Sequence, residues 1–152
     1  MIRLLTIALL VASLAPTARA QDGKIVFQPL SLPRSLGLPD RHANFVIRSI
    51  PSWNAWINNL TVVADPLPTI DFDRYTVLVA SAGYKARGPV VVTFDSITDT
   101  GNVVRVEVSV TTPAACPAVP EAGHYAAMAL IPSTDKPIEF DVSNRDRDCP
   151  SP

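Results

Sequence analysis

Cysteine and histidine are scarce, two of each in 152 residues, and neither charge sign dominates, with 13 Lys plus Arg against 14 Asp plus Glu. Two cysteines are too few for a disulfide-dense miniprotein. With no CxxC spacing and no neighbouring histidine pair, they do not compose a metal or redox site. Balanced charge leaves no basic field for a nucleic-acid backbone or an anionic membrane surface. A chain of this length holds one domain rather than several. Nucleophilic catalysis also lacks its usual parts, because no G-x-S-x-G elbow precedes a helix and only His42 and His124 are available as imidazole bases. Asp71-Phe72-Asp73 and Arg145-Asp146-Arg147-Asp148 lack the spaced acids, turn glycine and terminal Glu of a calcium loop. The residues therefore argue against an enzyme, with no catalytic group, no metal and no cofactor. A hydrolase built on His124 is the weakest of the alternatives they leave open.

Long apolar runs are also missing. The longest, Leu4 to Ala15, is interrupted only by Thr6 and Ser13, follows Arg3, and leads to Ala18-Arg19-Ala20. It is too short for a stable span, which takes about 20 apolar residues. A basic start, a short apolar stretch and small residues before a break are the features of a secretory signal, so residues 1–20 are expected to be cleaved after Ala20. No cysteine lies near that point to carry a lipid. The expected location is periplasmic or secreted, with no membrane anchor after cleavage. Export favours oxidation, so Cys116 and Cys149 are expected to pair, a crosslink worth about 2–4 kcal/mol if unstrained.

Proline is abundant, with 15 residues, and it punctuates the chain into short segments. Residues 21–43 read as an irregular N-terminal segment holding one edge strand at Lys24-Ile25-Val26-Phe27, since Pro29, Pro33 and Pro39 block ladder continuation. Residues 44–152 read as the main β domain. Asn44 to Ile50 has strand character. Trp53, Trp56, Ile57 and Leu60 then recur at helical spacing, behind Pro51 and a possible serine cap at Ser52. Thr76-Val77-Leu78-Val79-Ala80 is apolar almost throughout, as in a central strand buried on both faces. A loop is expected at residues 82–89.

Residues 90–97 and 103–110 flank Asp99-Thr100-Gly101-Asn102, a hairpin signal. In its second arm Val104, Val106, Val108 and Val110 alternate with Val103, Arg105, Glu107 and Ser109, giving one face in a core and one in water. Tyr125 to Ile131 and Ile138 to Val142 are further strands. From Ser143 the chain reads as a charged, solvated tail. The expected fold is mainly β, a sandwich or an open barrel of about six to seven strands, with one short α-helix.

Two surfaces are candidates for recognition. One joins the 83–89 loop, with Tyr84, Lys85, Arg87 and Gly88, to the Pro/Ala loop holding Pro113 and Pro117; ordered, proline-rich loops lose less entropy on binding. The other is a ligand or glycan platform made by Trp53 and Trp56, against which stands a core role for both indoles.

Several stretches together resemble the C-terminal domain of the protease-complex subunit PrcB family. They are Ile47-Arg48-Ser49 before the helix with Trp53 and Trp56, then Ile70-Asp71-Phe72-Asp73-Arg74-Tyr75-Thr76-Val77-Leu78, and Ala82-Gly83-Tyr84-Lys85. His124-Tyr125 and Ile131-Pro132-Ser133-Thr134-Asp135-Lys136-Pro137-Ile138-Glu139-Phe140 complete the set. The resemblance spans roughly residues 44–141. It implies an exported, non-enzymatic accessory domain that binds another exported protein, in some members a surface protease. Two expectations share one measurement. Mass spectrometry of the non-reduced protein should give a chain beginning at Gln21 and lighter by two hydrogens than its reduced form; an intact leader or an unchanged mass on reduction refutes the corresponding expectation.

Overall fold

The structure, a computed structural model, describes residues 23–31, 38, 40–60, 68–86, 88, 90–113 and 122–147. The valine run after the hairpin turn shows how its layers arise. Strand β5 (Val91–Asp99) returns as β6 (Val104–Pro113) in antiparallel register. Gly101, at φ 93°, takes the turn position that side chains avoid, while the Asp99 carboxylate accepts from its N–H at 2.8 Å. Val104, Val106, Val108 and Val110 are all buried and Arg105 and Glu107 exposed, as period two requires.

Among the described residues eight strands form two four-stranded sheets. One runs β1 (Gly23–Lys24), β5, β6, β8 (Ile138–Arg147), and the other β2 (Gln28–Leu30), β7 (Gly123–Pro132), β4 (Tyr75–Lys85), β3 (Ala43–Ile47). The mainly-β, sandwich-like fold with a single short helix is as expected. Its strands are more numerous because the N-terminal segment supplies two. The single edge strand expected at residues 24–27 is instead a crossing. β1 pairs with β5 in one sheet, Ile25 donates to the Ile97 carbonyl at 2.8 Å, and β2 pairs with β7 in the other. Ile25 and Phe27 pack into the core between the sheets, which a continuous strand on one face would not allow. Pro29 is tolerated because β2 lies at a sheet edge.

Strand β4 is central and buried on both faces, as its composition requires. Val77 and Val79 pack on one side with Ile47, Met128 and Leu130, and Leu78 and Ala80 on the other with Phe94, Ile97, Val106 and Ile131. The second group fills the space between the sheets. The first is covered by helix α1 (Ile50–Asn58), so the order of layers is helix, sheet, sheet.

The helix is capped three residues earlier than the sequence suggests. Its cap is Ser49 rather than Ser52, extended at φ −154° and ψ 157°, with its side chain accepting from the Ser52 N–H at 3.3 Å. Ser52 lies after Pro51 and belongs to the first turn, where Pro's fixed φ suits the helix and its missing N–H costs nothing. At the other end Asn59 stops the helix, its amide donating to the Ala55 carbonyl at 2.8 Å.

Trp53 and Trp56 point inward from this helix, each 7% exposed, with rings 5.3 Å apart and nearly parallel. Phe45 meets Trp56 edge-on and Phe72 meets Trp53 at a tilt. Each aromatic pair adds about 0.5–1.5 kcal/mol beyond the area it buries. Replacing Trp56 by Ala should destabilise the protein by about 3–5 kcal/mol; denaturant unfolding showing a loss below 1 kcal/mol would refute a core role.

Candidate functional site

The two ends of the sandwich are built differently. β4, β6 and β8 begin at what is termed its lower end, where β3, β5 and β7 finish. That end is tied shut. Arg48 donates to the carbonyls of Thr134 at 2.9 Å and Lys136 at 2.8 Å, bridging from the end of β3 to the approach to β8. Lys136 Nζ contacts both Asp99 carboxylate oxygens, at 2.6 and 2.7 Å. The Lys136 ammonium, helped by the Gly101 N–H, holds the Asp99 carboxyl below its ordinary value.

At the upper end β4, β6 and β8 finish together, and β7 begins. Tyr84 and Lys85, read as loop residues, belong to β4, where they pair with His124 and Gly123. The loop therefore starts later than the sequence suggests. The strand continues because a bulge between Ser81 and Gly83 absorbs the glycine. Gly83 adopts φ 72°, its N–H donates to the Ser81 hydroxyl at 3.1 Å, and an added Cβ would lie 2.5 Å from the Asp40 carbonyl oxygen. That same carbonyl accepts from the Tyr84 N–H at 3.1 Å, fastening residues 40–41 across the strand.

The extra residue also inverts the alternation. Before the bulge, Leu78 and Ala80 face the space between the sheets. Ala82 still packs there with Val110, but Tyr84 then turns to the outer face and Lys85 back toward the second sheet. Tyr84 is 50% exposed and meets His124 edge-on at 5.5 Å. His124 Nε2 lies 3.7 Å from the Asp40 carboxylate, and its Nδ1 is buried with no hydrogen-bond partner. Lys85 instead lines a cleft of about 380 Å³ with His42, Ala82, Val110, Val142 and Asn144.

Gly88 is buried near the same end, and the backbone of Pro113 closes β6 there opposite Arg147. Both recognition loops named from the sequence thus spring from one end of the sandwich. Arg87, Pro117, Cys116 and Cys149 lie outside the described residues. The Trp53–Trp56 platform is corrected: both indoles are in the core under the helix, with no open face for a sugar ring. Among the described residues no three His, Cys, Asp or Glu side chains gather to hold a metal.

Two placements carried no signal in the sequence. The charged stretch from Ser143 is not a free tail but the second half of β8, paired residue by residue with β6, which brings Asn144 to the cleft. Ser109, expected in water, is only 2% exposed. Its hydroxyl donates to Asp95, which also receives Arg145 at 3.2 Å, and Ser143 sits 3.4 Å away. Parallel pairing with β8 covers that serine, and nothing local in the sequence encodes such pairing.

Comparison of the chain with protein-family models, with curated proteins and with solved structures finds no match.

The bulge makes a sharp expectation. Gly83→Ala should destabilise the fold by about 1–3 kcal/mol, since it combines a left-handed backbone with a clash against Asp40. Gly123→Ala, whose Cβ would meet nothing closer than 3.9 Å, serves as control. Equal melting temperatures for the two variants would show that the bulge is not constrained.

Proposed function

We propose that this protein is an exported, non-catalytic accessory domain that binds another exported protein through the upper end of its sandwich. The resemblance to the PrcB family makes a protease the first partner to test and a periplasmic or secreted setting the one to expect. The observation that carries the reading is Tyr84, a large aromatic held half in solvent on a rigid strand end and braced by His124. Tyrosines so placed are typical binding anchors, because an ordered ring loses little entropy on docking. Lys85 and the strand end at Pro113 lie at the same end of the sandwich.

A Cys116–Cys149 crosslink belongs to this proposal, and the topology favours it. β6 and β8 are parallel neighbours that finish in register at Pro113 and Arg147, and the cysteines follow three and two residues later. Adjacent strands run about 4.7–4.9 Å apart, within the Cα separations of about 4.4–6.8 Å that disulfides span. Such a staple would hold the start of the Pro/Ala loop beside the end of β8.

Crosslinking capture from the cell envelope, read by mass spectrometry, tests the reading. Tyr84→Ala combined with Arg87→Ala should weaken capture of the enriched partner by about tenfold or more, with the melting temperature essentially unchanged. Undiminished capture by the double variant rejects this surface. No enriched protein from a folded preparation rejects the accessory role.

A further inference from the structure

We propose that the cleft between the two sheets at the upper end receives the free C-terminus of an extended peptide, a carboxylate carried on a small apolar last residue. The proposal rests on the protein-binding reading above and names the part of the partner that is held. The cleft has an apolar floor of Ala82, Val110 and Val142, and a polar rim of His42, Lys85 and Asn144. At about 380 Å³ it falls at the small end of ligand pockets, which run to about 300–1,000 Å³.

Sign is the deciding feature. Among the described residues no carboxylate lines this cleft, although acids outnumber bases in the chain. Three cations elsewhere are engaged: Arg48 with two carbonyls, Lys136 with Asp99, Arg145 with Asp95. Among the described residues the side chains of Lys85, His42 and Asn144 have no such partner. Of the described acids nearby, Asp146 receives the Thr112 hydroxyl at 3.0 Å, and Asp40 lies 3.7 Å from His124 Nε2. An ammonium, an imidazole and an amide gathered over small apolar side chains match a carboxylate with a short branched stem. The bulge in β4 appears in the same light, since without it Lys85 would face the opposite side of the sheet.

A peptide fits better than a free acid because of what borders the cleft. β3 and β8 are the outermost strands of their sheets, and no described strand pairs with their outer edges. An extended main chain has hydrogen-bonding groups for such an edge, while its terminal carboxylate is held by the cationic rim.

Amide NMR on the purified protein tests this with three probes: acetyl-Ala-Ala-Val with a free carboxylate, the same peptide as its C-terminal amide, and isovalerate. The free-acid peptide should shift the signals of Ala82, Lys85, Val110, Val142 and Asn144, and the amide should bind about tenfold more weakly or worse. Lys85→Gln should weaken the free-acid peptide by a similar factor with an unchanged melting temperature. Equal binding of acid and amide, shifts confined to other residues, or no binding overturns the proposal. Isovalerate binding as tightly as the peptide overturns the peptide assignment. Capture of the envelope partner that is insensitive to Lys85→Gln, yet lost in the Tyr84 and Arg87 double variant, would sink the cleft proposal and leave the accessory reading standing.

Discussion

Everything in the molecule is arranged around a strand that cannot touch water on either face. From Thr76 to Ala80 every side chain of β4 is buried. A strand of that kind needs a neighbour on each edge and a layer on each face. β3 and β7 supply the edges, α1 one face, and the β5–β6 sheet the other. The arrangement carries a cost, for the Thr76 hydroxyl is buried without a hydrogen-bond partner, a burden of about 1–3 kcal/mol that surrounding apolar burial must offset.

Packing around β4 makes the two ends unlike. The lower end is sealed by groups whose partners are fixed in short range, Arg48 on two carbonyls and Lys136 on Asp99. The upper end has a thin apolar layer of Ala82, Val90 and Val110, with half-exposed Tyr84 outside it and Lys85 within the cleft. One inserted residue decides which of those two consecutive side chains faces outward and which faces the cleft. Gly83 permits the insertion because only a residue without Cβ can sit at positive φ so close to the Asp40 carbonyl. The same glycine thus sets the direction of the aromatic anchor, of the cleft lysine and of the strap at residues 40–41.

Elements whose stability is mostly local were readable in advance. The hairpin at 91–113 carries its turn residues and its alternation within one segment. The helix carries its apolar spacing, and the continuous apolar run at 76–80 could only be central. Elements defined by distant partners were misread. The 82–85 stretch looks like a loop because a glycine in a strand resembles a turn until the bulge is known. The Ser143–Arg147 stretch looks like a solvated tail because its residues are polar, yet it pairs in parallel with β6 over its whole length. Ser109 follows from that pairing, since a polar residue becomes buried when a charged edge strand folds beside it. Lys24 to Phe27 looks like one strand because its residues are apolar and β-branched or aromatic after the lysine; only two sheets in place show that it crosses between them, with Ile25 and Phe27 inward and Val26 exposed.

For the site, the sequence alone selected Tyr84 and Lys85 and paired their segment with the Pro/Ala loop at Pro113, on chemical grounds of exposure and turn composition. It also determined the β class, the central strand, the single helix and its aromatic face, because those depend on periodicity and on which side chains avoid water. Tertiary structure alone decided that Trp53 and Trp56 are core, that His42 and Asn144 join Lys85 at one cleft, and that both cysteine-bearing segments leave the same end of one sheet. Those facts rest on strand order, parallel register and a one-residue bulge. Each is a relation between segments far apart in the chain, and no local pattern of residues can encode it.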